Sequence, residues 1–107
     1  MTADAVLRAL AEPHRRRILS LVADREVPAG EIAQHFDITH QAVSQHLKVL
    51  RDAGLLNERR DGTRRLYAIR PEAIESVRAY LDELWPASLD RLRATVERDR
   101  GRGRPGS

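Results

Sequence analysis

The chain has 107 residues, 41% hydrophobic and 33% charged, the size and balance of a single small soluble domain. It has no cysteine, which excludes disulfides, thiolate metal centres and thiol redox sensing; with no apolar run long enough for a membrane span or a leader, a cytoplasmic location and no membrane partner are expected. The net charge of +3 is unevenly placed: residues 51–70 carry six basic and three acidic side chains, residues 71–99 four and seven, which points to an anionic partner for one region.

The first predicted helix runs from Asp4 to Ala11 and carries Val6, Leu7 and Leu10. The stretch "EPHRRRILSLVAD" starts a second. Pro13 suits a first helical turn, Glu12 sits near the positive end, and Ile18, Leu19 and Val22 form the apolar face. "REVPAG", with Pro28 and Gly30, reads as a break. A third, short helix is expected from about Ala29 to Phe36, burying Ile32, Ala33 and Phe36. After the connection "DIT", Thr39 is a good N-cap for a helix that runs to about Asp52 and stops at Gly54. Two helices joined by so few residues have the helix-turn-helix layout.

The second of these helices serves two surfaces. Val43, Leu47 and Leu50 recur at i, i+4 and i+7, a buried stripe. His40, Gln41, Ser44, Gln45 and Lys48 occupy the rest. A merely solvated face is usually made of Glu, Lys and Arg, whereas amides, hydroxyls and imidazoles match the donors and acceptors of base edges in the major groove. Amide-rich faces also occur where helices meet other proteins. His46 falls between the stripe and the polar face, equally placed for DNA contact or for a half-buried position beside a neighbouring side chain.

"LLNERRDGTRRLYAI" reads as a hairpin turning at Asp61-Gly62, with Leu66, Tyr67 and Ile69 as strand formers. Its tip carries Arg59, Arg60, Arg64 and Arg65, suited to phosphates and to the minor groove. Eighteen of the nineteen basic residues are arginine, however, a bias that a GC-rich genome produces unaided. Past Pro71 a helix is predicted with Ile74, Val77, Tyr80, Leu81 and Leu84 on one face. Pro86 interrupts it, and Leu89, Leu92 and Val96 continue at helical spacing. The expected fold is mostly α with a small β-hairpin wing, a winged helix-turn-helix of five to six helices. Residues 1–99 form the DNA-binding and dimerisation domain, and residues 100–107 a disordered basic tail.

Three stretches, "LAEPHRRRIL", "AVSQHLKVLRDAGLL" and "RRDGTRRLYAI", give the chain a resemblance to the ArsR/SmtB family of bacterial transcriptional repressors, from Leu10 to about Leu84. The resemblance implies a homodimer built from the first and last helices, bound to an inverted repeat in its own promoter. It implies recognition through Gln41, Ser44, Gln45 and His46, with the wing around Arg59 to Arg65; His40 and Lys48 extend the candidate DNA-contacting set. The candidate dimer residues are Val6, Leu7, Leu10, Leu81, Leu84, Trp85, Leu89 and Leu92, although the last five would also serve to pack on the chain's own first helix. The family's Cys-Val-Cys metal motif aligns with Pro28, Ala29 and Gly30, which have no ligand atoms. There is no histidine between Glu72 and Asp99, and no two of His14, His35, His40 and His46 lie at i, i+4. No metal and no cofactor are therefore expected, and no small-molecule effector is indicated.

Two alternatives stay open at this stage: an effector-responsive regulator of the same fold, released by an organic ligand or a non-thiolate metal, and a protein-interaction module that keeps the winged-helix shape without binding DNA. An enzyme is not expected. Ser44 with His46, and Ser88 with Asp90, are too close in sequence to build a triad, and "GRGRPG" neither follows a strand nor opens a helix.

Overall fold

The computed structural model describes residues 2–85 and 87–102, with side chains described for 2–85 and 91–98. Six helices and three strands follow in the order α1 (Ala3–Leu10), α2 (Pro13–Leu21), β1 (Val27–Pro28), α3 (Ala29–Ala33), α4 (His40–Asp52), β2 (Leu56–Asp61), β3 (Arg64–Ile69), α5 (Pro71–Leu84) and α6 (Ala87–Arg102). The chain divides into two compact units between Val77 and Arg78.

Three helix starts of the first unit, those of α1, α2 and α4, are capped by side chains. Thr2 Oγ1 accepts from the Ala5 N–H at 3.1 Å, a Glu12 carboxylate oxygen from the Arg15 N–H at 3.0 Å, and Thr39 Oγ1 from the Ala42 N–H at 3.0 Å. Gly54, at φ 84°, lets the chain leave α4 in the left-handed region. The core gathers one side of each element: Val6 from α1, Ile18 from α2, Ile32 from α3, and Val43, Leu47 and Leu50 from α4, closed by Leu55, Leu56 and Tyr67. Full burial of a side chain such as Leu47 or Leu50 contributes about 1.5–3 kcal/mol. Ala73 of α5 is also buried in this core, and Val77 packs against it.

The sheet is antiparallel in the order β1-β3-β2. Its two-residue β1, at Val27–Pro28, corrects the reading of "REVPAG" as a simple break: Val27 pairs with Tyr67 and Pro28 with Leu66. Proline is tolerated there because β1 is an outer strand. The hairpin register pairs Leu56 with Ile69, Glu58 with Tyr67, Arg59 with Leu66, Arg60 with Arg65 and Asp61 with Arg64. The connecting residues are thus Gly62-Thr63, one step beyond the expected turn, and Gly62 takes the positive φ of 64° there. Helix α3 ends at Ala33, short of the expected Phe36; His35 and Phe36 follow in turns that donate to the Ile32 and Ala33 carbonyls.

The second unit holds the rest of α5 and α6. Helix α6 reaches Arg102, three residues past the expected domain boundary at Asp99, while the remainder of the predicted tail, like the interruption at Pro86, lies outside the described residues. Among the described residues no helix is long and apolar enough to cross a membrane.

Candidate nucleic-acid interface

Burial of Val43, Leu47 and Leu50 fixes the rotation of α4, and the same rotation exposes His40, Gln41, Ser44, Gln45 and Lys48. The nearby hydrogen bonds involve other groups: Thr39 caps the helix and Arg51 pairs at its end, leaving the five polar side chains without partners among the described residues.

The wing adds its charges through its register. Side chains alternate between the sheet's faces, so Glu58, Tyr67, Arg60 and Arg65 share one face. Arg60 and Arg65 stand directly opposite one another. Like charges in a cross-strand pair are unfavourable, and an anion placed between them removes the penalty. On the other face, Asp61 opposes Arg64. Arg65 also lines a cleft of about 280 Å³ with Gln41, Ser44, Gln45, Lys48, Arg51 and Tyr67, floored by Ala29 and Leu47. Gln41, Ser44, Gln45 and Lys48 of α4 and Arg65 of the wing therefore share one space.

Arg59 does not join that set. Its Nε and Nη2 donate to the two Glu26 carboxylate oxygens at 2.9 and 2.8 Å. The paired guanidinium holds the Glu26 carboxyl below the ordinary carboxylate range against the opposing effect of burial, and Glu26 raises Arg59 in turn. Arg59 thus braces the segment before β1 against the wing, with its charge matched by Glu26 while its side chain stays 56% exposed. Arg60, Arg64 and Arg65 remain exposed.

A second brace is built into the cleft lining. Arg51 Nη1 donates to Glu58 Oε2 at 3.0 Å, and the Tyr67 hydroxyl donates to the same oxygen at 2.7 Å. The Tyr67 hydrogen bond lowers the Glu58 pKa, burial opposes it, and Arg51 adds to the lowering. Burial and the Glu58 carboxylate raise the Tyr67 phenol. The end of α4 is thereby tied to both strands of the wing. Sequence reasoning missed this network; the Glu58–Tyr67 register, once the hairpin turn is placed, is the signal that leads to it.

His46 takes the half-buried of the two positions its spacing allowed. It turns inward, toward the start of α2. Its Nδ1 lies 3.5 Å from Arg15 Nη1 and 3.8 Å from Glu12 Oε2, and its ring stacks on His14 at 5.5 Å between centroids. Burial lowers its pKa, opposed by Glu12 and reinforced by Arg15 and His14. Glu12 Oε1 meets His14 Nδ1 at 2.9 Å. At Glu12, burial pushes the pKa upward but is outweighed by the His14 hydrogen bond and the Arg15 N–H, so the net direction is down. The fold thus creates a facing histidine pair that no helical spacing displays.

Of the candidate dimer residues, Val6 is 1% exposed and enclosed by its own unit, which removes it from any partner-facing set; Leu10 is half-buried against the same core. Leu7, Leu81, Leu84, Trp85 and Leu92 are exposed, Trp85 at 50%. The Leu89 side chain lies outside the described residues. The family's thiolate site has no counterpart, since Pro28, Ala29 and Gly30 offer no ligand atom.

Comparison with known proteins agrees with this architecture. A family model described as a helix-turn-helix domain matches residues 10–59. The HTH-type transcriptional regulator Rv2034 of Mycobacterium tuberculosis is 40% identical over 86 residues, 80% of this chain and 80% of that protein. The transcriptional repressor SdpR of Bacillus subtilis is 33% identical over 70 residues, 65% of this chain and 78% of its own. Among solved structures, the ArsR family transcriptional regulator RHA00566 superposes with a TM-score of 0.73 at 30% identity, covering 76% of this chain and 89% of that one.

Proposed function

We propose that the chain, which belongs to the ArsR family of winged helix-turn-helix, DNA-binding transcriptional regulators, acts as a homodimeric repressor at an inverted-repeat operator, one copy of which lies in its own promoter. It is not an enzyme; its work is binding double-stranded DNA.

The observation that carries the reading is the cleft shared by the polar face of α4 and Arg65 of the wing, which pairs across the strands with Arg60. Gln41 and Gln45 suit bidentate bonding to adenine, Ser44 suits several base edges, and His40 and Lys48 reach bases or phosphate at the margin. Arg60, Arg64 and Arg65 neutralise phosphates beside the groove. The exposed apolar side chains Leu81, Leu84, Trp85 and Leu92 of the second unit, and Leu7 of the first, are each offered to a second copy. Two-fold symmetry then spaces two copies of α4 by one helical turn of DNA, about 34 Å, and demands a near-palindromic operator. Repression follows from occupying the promoter.

The test is fluorescence anisotropy of the chain with its own upstream promoter DNA across a salt series, with a scrambled duplex as control. Tight, sequence-dependent binding that weakens steeply with salt is expected. Equal, weak binding to both duplexes overturns the autoregulatory reading.

A further inference from the structure

The DNA-facing surface leaves one constellation of chemistry-bearing side chains unused. Glu12, His14 and His46 each present a donor atom within 4.8 Å of the others, the one such group among the described residues. They come from two elements. Glu12 caps α2, His14 stands in its first turn, and His46 projects from the inner flank of α4. Capping occupies Glu12 Oε2, which accepts from the Arg15 N–H; Oε1 is turned to His14 Nδ1.

We propose that Glu12, His14 and His46 form a binding site for Zn²⁺ or a chemically similar divalent ion, with two imidazole nitrogens and one carboxylate oxygen as protein ligands and a fourth position open to water. The set of two histidines and a glutamate suits an ion of intermediate softness, and the sequence has no thiolate to compete for it. Bonds near 2.1 Å place tetrahedral donors roughly 3.4 Å apart, so closing on the ion requires movements of order 1 Å by side chains that are only half-buried.

Arg15 is the neighbour that shapes the site. Its Nε and Nη2 are anchored on the Ala9 and Arg8 carbonyls at 2.8 and 3.0 Å, which aims Nη1 at His46 Nδ1. A guanidinium only donates, so the nitrogen it faces presents a lone pair, the form a cation requires. The same positive charge opposes the ion, and the Glu12 carboxylate offsets it. On binding, the ion takes the place of the proton in the His14–Glu12 hydrogen bond, the His14 ring keeping its single proton on Nε2, and displaces the Arg15 contact. The bound ion joins the start of α2 to the middle of α4. The site stands on these residues alone and does not rest on the DNA-binding reading.

The experiment is a titration of the full untagged chain, without DNA, with zinc chloride in competition with a chromogenic chelator. Expected is one ion per chain with Kd tighter than roughly 100 µM, weakened at least about fivefold in both His14→Ala and His46→Gln and by less than that in His35→Ala and His40→Ala. His14 is 43% exposed at its side chain, so His14→Ala keeps the fold, as circular dichroism will check, even if His46→Gln does not. Weaker binding by the wild type, a smaller effect of His14→Ala, or an equal loss in His35→Ala or His40→Ala overturns the assignment.

Discussion

Replacing Arg60 and Arg65 by alanine separates DNA electrostatics from folding, because the two arginines oppose each other across the wing and so work against the sheet that carries them. Each phosphate neutralised adds about 0.9 to the slope of log K against log salt. Between 50 and 200 mM salt, a fourfold change, one contact accounts for an affinity loss of about 3.5-fold and two for about 12-fold. On a dimer the double variant removes four such contacts, so it should bind its operator more weakly at low salt, with a slope shallower by about 3.6. Its Tm should change little, since relief of the like-charge pair is offset by loss of the Arg65 attraction to the Glu58 carboxylate. Arg59→Ala is the internal control. Its guanidinium is already matched by Glu26, so the salt slope should hold while the brace is lost. Anisotropy titrations at several salt concentrations, with thermal denaturation of the same samples, read both quantities. An unchanged slope in the double variant, or an equal change in Arg59→Ala, refutes the assignment of phosphate contact to the shared face.

Gln45→Ala should cost about 1–3 kcal/mol of operator affinity and little affinity for a scrambled duplex, measured by competition gel shift. Thr39→Ala removes the cap on the Ala42 N–H and should lower stability by about 1 kcal/mol in urea denaturation. Glu58 has a lowered pKa, so its stabilising contribution is complete above the ordinary carboxylate value of 4.5 and is lost as pH falls through the lowered folded value. Stability measured from neutral to acid pH should accordingly fall less steeply below about pH 4.5 in Glu58→Gln than in the wild type.

Local patterns carried the elements that local chemistry decides. The stripe of Val43, Leu47 and Leu50 between Thr39 and Gly54 sets both the extent and the rotation of α4, so its outward face is legible from spacing alone. Asp61 and Gly62 mark the hairpin for the same reason, with a one-residue error in the turn. Periodicity says which face is inward but not what lies opposite. Arg59 meets Glu26 from 33 positions away and His46 meets Arg15 from 31, pairings that no local spacing displays. β1 contains only two residues, one of them proline, and owes its strand character to Tyr67 and Leu66. Val6 and Leu7 look equivalent in a short apolar run, yet one is enclosed and the other exposed, a choice made by the elements packed on α1.

In the order β1-β3-β2, the outermost strand on the wing side is β2, whose outer edge, unpaired among the described residues, offers backbone donors and acceptors to any passing strand. Along it the exposed side chains are Asn57, Arg59, Arg60 and Asp61, and a second copy of the same edge would bring arginine against arginine. The basic character that suits the wing to phosphate thus also guards the chain against fibre-like self-association at the high local concentrations a promoter imposes. A wing stripped of its arginines would lose that guard along with its affinity.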